Sequence, residues 1–190
     1  MNGPVLPAAR YLNTIYLEFK SNRFRILITV NISNRSRSKL IIICGLPGSG
    51  KTALAKQLEE KLNAIRFCPD EWMEALSIDL YDEERRGRIE ALQWKFGQEL
   101  LQRGVTVIIE WGTWGRPERD KLRLRAKALG AEVELHYLSV PAEVLFERIQ
   151  RRGMENPPLK REDISKWFNV FQAPTTEEMA LFDRSYTISV

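Results

Sequence analysis

One segment of the sequence combines glycines, a lysine and a threonine at a spacing suited to binding a triphosphate. It matches the pattern Gly-x-x-x-x-Gly-Lys-Ser/Thr in full. The glycines let backbone N–H groups surround a phosphate, and a following helix adds its positive N-terminal end. Lys51 can reach the β- and γ-phosphates, and the Thr52 hydroxyl can coordinate Mg²⁺. We therefore expect ATP or another nucleoside triphosphate, with Mg²⁺, on eight residues: Gly45, Leu46, Pro47, Gly48, Ser49, Gly50, Lys51 and Thr52.

Two carboxylates lie at or just past the ends of predicted strands. Asp70 follows the second strand, at the sheet end where α/β proteins bind ligands, and can accept the proton of an acceptor hydroxyl as general base. The alternative is an acid that only stabilises the first turn of a helix. Glu110 closes another strand, and there it can hold Mg²⁺ through water or bind the acceptor.

An aromatic loop follows Glu110. Trp111, Trp114 and Arg116 lie in a segment with two glycines, a composition suited to the wall of an acceptor pocket. The same residues would also suit a hydrophobic plug, and the sequence leaves both interpretations open.

Three arginines precede a break rich in glycine and proline. Arg148 and Arg152 are four residues apart and share a helical face, with Arg151 between them. A mobile segment carrying arginines can exclude water and neutralise charge on a transferring phosphoryl group. We therefore predict a lid at about residues 148–165, with Arg148 or Arg152 on the γ-phosphate. The alternative is a solvated basic face at a helix C-terminus.

Alternating strand and helix patterns must position these residues. The predicted strands are Leu40–Cys44, Ile65–Cys68, Val105–Ile109, Val133–Leu138 and Tyr186–Val190. The predicted helices are Thr52–Leu62, one beginning at Pro69, Glu83–Arg103, Pro117–Leu129, Pro141–Arg151 and Glu162–Phe171. This alternation predicts a three-layer α/β sandwich around a parallel sheet.

Length and charge indicate one main domain. The chain has 190 residues, and residues 39–190 hold all the motifs above. Residues 1–38 carry six basic groups and one acid, so subtracting their +5 from the total of +4 leaves −1 for the rest. This nearly neutral body does not favour a nucleic-acid partner. Residues 1–38 suit an edge strand, a flexible arm or an extension, and we favour the last two.

Location and cysteine chemistry follow from composition. The apolar runs are too short to span a membrane, and the N-terminus lacks a signal-peptide pattern, so we expect a cytoplasmic protein. Cys44 and Cys68 end apolar segments, where we expect buried free thiols rather than a disulfide.

In these motifs the chain resembles the small P-loop kinases, in particular the group labelled AAA family ATPase or ATP-binding protein. Its relatives include polynucleotide 5′-kinase, chloramphenicol phosphotransferase and zeta-type toxins. The resemblance covers roughly residues 39–183. It rests on the loop 45–52, Pro69-Asp70-Glu71-Trp72, the segment 107–119 with the Arg-Pro-Glu-Arg-Asp run that begins at Arg116, and the arginines of 147–152. It implies a nucleoside-monophosphate-kinase-like fold with a small lid, Asp70 as base and a lid arginine.

The sequence departs from these relatives at two positions. Polynucleotide kinases place an arginine three residues after the aspartate, where this chain has Met73, and relatives commonly have aspartate where it has Glu110. We predict a kinase that moves the γ-phosphate of ATP to a hydroxyl of a small molecule. The alternatives are a polynucleotide or zeta-like nucleotide-sugar kinase and a nucleotide-binding regulatory module with little turnover.

Overall fold

The computed structural model describes residues 14–20, 25–31, 37–153 and 158–189. The chain divides between Ser36 and Arg37 into two compact units. In the first unit, strand β1 (Thr14–Lys20) pairs antiparallel with strand β2 (Arg25–Asn31), with Thr14 opposite Asn31. The strand character expected around Phe24–Ile32 corresponds to β2, whereas β1 was not predicted. That residues 1–38 form a flexible arm or extension stays a prediction.

The second unit is built on a five-stranded parallel sheet. Its strand order is β4-β5-β3-β6-β7. The strands are β3 (Lys39–Cys44), β4 (Ile65–Phe67), β5 (Val107–Gly112), β6 (Glu132–Ser139) and β7 (Arg184–Ser189). Strand β3 lies at the centre and is apolar from Leu40 to Cys44, as a strand covered on both faces requires.

Helices cover both faces of this sheet. They are α1 (Lys51–Leu62), α2 (Pro69–Ala75), α3 (Glu83–Gln102), α4 (Arg116–Ala128), α5 (Ala142–Arg152), α6 (Arg161–Val170) and the short α7 (Thr176–Met179). Leu40 and Ile42 of β3 pack with residues of α3 and α4, while Ile41 and Ile43 pack with α1. The predicted three-layer α/β architecture is confirmed.

The strand order places a crevice beside β3. The chain passes from β3 through α1 to β4 and β5 on one side, and then crosses to β6 on the other. Ligands of open α/β sheets bind at the carboxyl ends of the strands where the order reverses in this way. Gly45, Cys68 and Thr113 follow β3, β4 and β5 at this edge.

Two composition-based expectations can be compared with the described residues. Cys44 and Cys68 are buried and free, as expected. In the described part of the chain, no helix is both long enough and apolar enough to cross a membrane.

Candidate active site

The glycine loop has the backbone shape of a phosphate cradle. Gly48 and Gly50 have φ angles of 78° and 102°, in the left-handed region that favours glycine. A Cβ at Gly48 would lie 2.9 Å from Ile149 Cγ1, so the loop also approaches α5 closely. Helix α1 begins at Lys51 with Gly50 as its N-cap and with no side-chain cap. Its first N–H groups therefore remain available to an anion.

Lys51 lies within this cradle. Its Nζ donates hydrogen bonds of 3.0 Å to the carbonyl oxygens of Gly45 and Leu46. Burial lowers the pKa of Lys51 to about 8, although the charges of Glu110 and Asp70 act in the opposite direction. A triphosphate would favour the charged amine. The Ser49 hydroxyl is buried in the same loop and has no hydrogen-bond partner among the described residues. The cradle therefore fits a triphosphate.

Thr52 and Glu110 form the oxygen-bearing pair expected of a magnesium site. The Thr52 hydroxyl donates to Glu110 Oε1, and the Glu110 side chain is buried. Hydroxyl and carboxylate oxygens suit Mg²⁺, which takes its remaining ligands from phosphates and water. These residues fit the ion, which would neutralise charge on the β- and γ-phosphates.

Arg66 holds this pair in place, and sequence reasoning missed it. Its Nη1 donates to Glu110 Oε2 at 2.9 Å, its Nη2 to Glu71 Oε2 at 2.7 Å and its Nε to Glu59 Oε2 at 3.1 Å. The Arg66 side chain is only 7% exposed. One guanidinium therefore links α1, α2 and β5, and the lone arginine in the short strand β4 was the only sequence signal for it.

Replacing Arg66 by methionine should weaken the magnesium site. Glu110 would keep its buried position but lose the cation that orients it, and the loss of such an outer partner costs about 10- to 100-fold in metal affinity. We expect a comparable rise in the Mg²⁺ concentration needed for half-maximal ATP turnover. An Arg103→Met variant, which removes an exposed arginine directly after α3, is the control. Equal Mg²⁺ dependence in the two variants would contradict this role.

Asp70 lies in the first turn of α2, next to the cavity above the loop. One of its carboxylate oxygens accepts a 2.6 Å hydrogen bond from Arg86 Nη2, and its side chain is 56% exposed. Arg86, on α3, also donates to the Leu80 carbonyl oxygen. Met73, the position where polynucleotide kinases carry arginine, is fully buried. It therefore does not face an acceptor.

The tryptophans at the end of β5 and directly after it line the same cavity. Trp111 Nε1 donates to Gln93 Oε1 at 2.8 Å, and Gln93 Nε2 donates to the Cys68 carbonyl oxygen. Trp114 packs edge-on against Trp167, with ring centroids 6.3 Å apart. These contacts tie Trp111, through Gln93, to the end of β4, and Trp114 to α6.

Arg119 supports the aromatic loop from beneath and was not selected as a site residue. Its Nε and Nη2 donate to the two oxygens of Glu178 at 2.6 and 2.9 Å, and both side chains are buried. Its Nη1 donates to the Thr113 carbonyl oxygen at 2.8 Å, and its Nη2 to that of Gln172. The Arg-Pro-Glu-Arg-Asp run contained the signal, although nothing in it distinguished this arginine from its neighbours.

The predicted arginines divide between the cavity and the surface. Arg148 Nη1 approaches the Ser49 carbonyl oxygen at 3.4 Å, and both Arg148 and Arg152 line the cavity. Arg116 does not line it, because its side chain lies 3.5 Å from Asp120 on the exposed surface of α4. The predicted lid includes the end of α5 and the start of α6, while residues 154–157 lie outside the described part.

A single cavity of about 900 Å³ brings these groups together. It runs from the glycine loop to α2, α3 and the aromatic loop. It includes Lys51, Thr52, Asp70, Glu110, Trp111, Trp114, Arg148 and Arg152 from the predictions, and Arg86, Glu90, Thr113 and Glu118, which sequence reasoning did not select.

A phosphate loop, an acidic strand end and an arginine-bearing helix around one cavity define a P-loop kinase-type ATP-binding protein. The family model described as an AAA domain matches residues 40–174, so the chain belongs to that family. The resemblance to small P-loop kinases is thereby confirmed.

Individual relatives agree with this family. A protein of Schizosaccharomyces pombe named "Probable gluconokinase" is 26% identical over 157 residues, which cover 78% of this chain and 80% of the relative. A gluconokinase structure from Sinorhizobium meliloti has a TM-score of 0.56 at 20% identity, covering 81% of this chain and 83% of that one. The Mycobacterium tuberculosis APS kinase, solved with AMPPNP and APS, also has a TM-score of 0.56, at 19% identity over 80% and 88% of the chains. These structures share the fold.

Proposed function

We propose that this chain is a magnesium-dependent kinase that transfers the γ-phosphate of ATP to a hydroxyl group of a small molecule. The observation that carries the proposal is the continuous cavity, because it joins the phosphate loop to Asp70 and leaves room for an acceptor beside the nucleotide. The kinase names of the relatives support the reaction class. A donor as abundant in the cytoplasm as ATP agrees with the location expected from the sequence.

Each group in the cavity has a role in this reaction. The loop 45–52 binds the triphosphate, and Lys51 neutralises the β- and γ-phosphates. Thr52 and Glu110 would hold Mg²⁺, which would offset charge on the phosphates. The acceptor oxygen forms a new bond to the γ-phosphorus as the bond to the ADP oxygen breaks.

The proton and the developing charge also need partners. Asp70 accepts the proton of the attacking hydroxyl, and Arg86 holds the Asp70 carboxylate in position. Arg148 and Arg152 approach from α5 and stabilise charge on the transferring group. Trp111 and Trp114 shield the acceptor side from water.

Transfer of ³²P from γ-labelled ATP to a pool of hydroxyl-bearing metabolites tests the proposal. We expect labelled product that depends on acceptor and Mg²⁺. Lys51→Met should lower its formation by about 10²- to 10³-fold, as removal of one donor to the developing charge does elsewhere. Lys61→Met, an exposed change in the last turn of the same helix, is the matched control.

Three outcomes distinguish the candidates. Label on a small molecule supports the proposal, whereas label only on a 5′-hydroxyl oligonucleotide would identify a polynucleotide kinase. If the wild-type protein binds ATP but forms no more labelled product than Lys51→Met does, the chain is a nucleotide-binding module instead.

A further inference from the structure

The part of the cavity lined by α2, α3 and α4 is acidic. We define the acceptor wall as the charged cavity residues of α2, α3 and α4, which are Asp70, Glu83, Arg86, Glu90 and Glu118. Four are carboxylates and one is a guanidinium. The cations that suit phosphates, Lys51, Arg148 and Arg152, lie on α1 and α5. The cavity therefore separates a basic phosphate side from an acidic acceptor side.

The one cation of the acceptor wall is already paired. Arg86 Nη2 lies 2.6 Å from Asp70 Oδ1. Glu90 and Glu118 have no ion-pair partner within the described part of the chain, although the Glu118 carboxylate accepts a hydrogen bond from the Gly115 backbone. Two half-buried carboxylates of the wall thus line the cavity without an ion pair, although Arg86 acts electrostatically on Glu90 and Arg119 on Glu118.

The environment of these two carboxylates disfavours their charge. Burial raises the pKa of Glu90 to about 7, and the neighbouring charge of Glu118 adds to the effect, with Arg86 opposing it. Burial also raises the pKa of Glu118. A cation placed beside them would favour both ionised forms, whereas a second anion would oppose them further.

Aromatic and hydroxyl groups complete the surroundings. Trp111, Trp114 and Tyr81 line the same cavity, and aromatic faces attract organic cations. Thr113 also lines it, and its buried hydroxyl has no hydrogen-bond partner among the described residues. That hydroxyl can form a hydrogen bond to a polar group of an acceptor. The bond would remove the free-energy cost of a buried hydroxyl without a partner.

Building on the proposed kinase activity, we propose that the acceptor is a hydroxyl compound with a protonated amine, whose ammonium group binds to Glu90 and Glu118. An amino sugar or an amino alcohol has this chemistry. The wall disfavours anionic acceptors such as gluconate, because a carboxylate there would meet unpaired acids. The specificity of this chain then differs from what the names of its relatives suggest.

Matched acceptors test the inference. One set is D-glucosamine, D-glucose and D-gluconate, and a second is 2-aminoethanol, ethylene glycol and glycolate. Each is assayed for phosphoryl transfer from ATP and, separately, for binding to the protein loaded with AMPPNP by calorimetry. We expect the amine to have the highest kcat/KM and affinity in its set, and the carboxylate the lowest.

Substitutions in the acceptor wall test whether Glu90 and Glu118 cause the preference for amines. Glu90→Gln and Glu118→Gln should each raise the KM for the amine by about tenfold or more, since each removes a charged hydrogen-bond partner. The KM for the amine should rise several-fold more than the KM for the neutral acceptor, which has no ammonium group to lose a partner. Glu99→Gln, an exposed change further along α3, is the control.

The outcomes separate this inference from the proposed function. A preference for the carboxylate or neutral member, with normal transfer, overturns the inference and leaves the kinase intact. Amine binding that depends on Glu90 and Glu118 without any transfer supports the inference and overturns the kinase proposal. If no amine of either set binds or reacts, the inference is overturned.

Discussion

Replacing Asp70 by asparagine should lower acceptor-dependent kcat by about 10²- to 10⁴-fold, the usual contribution of a positioned general base. Asparagine keeps the size of the side chain but cannot accept the hydroxyl proton. Asp70 lies on α2, outside the loop that binds the triphosphate, so the affinity for ATP should change far less than kcat. Single-turnover transfer with labelled ATP, together with calorimetry using AMPPNP, measures the two effects separately.

Glu74→Gln provides the matched control for Asp70. Glu74 is an exposed acid on the same helix and does not line the cavity. A wild-type kcat in Asp70→Asn would remove Asp70 from the mechanism. A parallel loss of ATP affinity would instead show that the substitution disturbs the nucleotide site.

Arg119→Met should lower the free energy of unfolding by about 3–5 kcal/mol, because the variant leaves the Glu178 carboxylate buried without its cation. For a protein of this size, that corresponds to a fall in Tm of roughly 6–20 °C. Urea unfolding at fixed pH and thermal unfolding both measure the change. Arg125→Met, an exposed change on α4, should leave both quantities near those of wild type.

A double variant tests the explanation. Arg119→Met combined with Glu178→Leu removes both charges, so it should recover part of the stability lost in the single variant. If Arg119→Met alone is as stable as wild type, the buried pair does not hold the loop at Thr113. A double variant less stable than the single one would point to lost packing instead.

The sheet and its main helices could be predicted because their patterns are local. The apolar run Leu40–Cys44 and the glycine loop after it lie on adjacent residues, and both appear where expected. Strand β5 continues to Gly112 although we predicted its end at Ile109. An acid and a tryptophan are not typical of a buried strand, so composition did not predict that Glu110 and Trp111 extend β5. They do so because Arg66, Thr52 and Gln93 form hydrogen bonds with their polar atoms.

The partners within the site could not be predicted because they come from packing between distant segments. Asp70 and Arg86 are 16 residues apart and meet only because α2 packs against α3. Arg119 and Glu178 are 59 residues apart, and the short helix α7 that carries Glu178 has no periodic pattern. The side chain of Arg116 pairs with Asp120 rather than facing the cavity, which depends on how α4 is rotated. Its predicted role in acceptor binding stays a prediction.

Arg66 donates hydrogen bonds to three carboxylates on different elements, and this should couple the binding of the two substrates. Arg66 binds Glu110 of the proposed magnesium site and Glu71, the residue next to Asp70 on α2. An ion beside Thr52 would bind the carboxylate that Arg66 orients through its other oxygen, so Arg66 links the ion site to α2. Linkage between binding sites is reciprocal. If binding of Mg²⁺ and ATP changes the affinity for the acceptor by some factor, the acceptor changes the affinity for Mg²⁺ and ATP by the same factor. The two substrates should therefore not bind independently, and Arg66 should be the residue whose loss uncouples them.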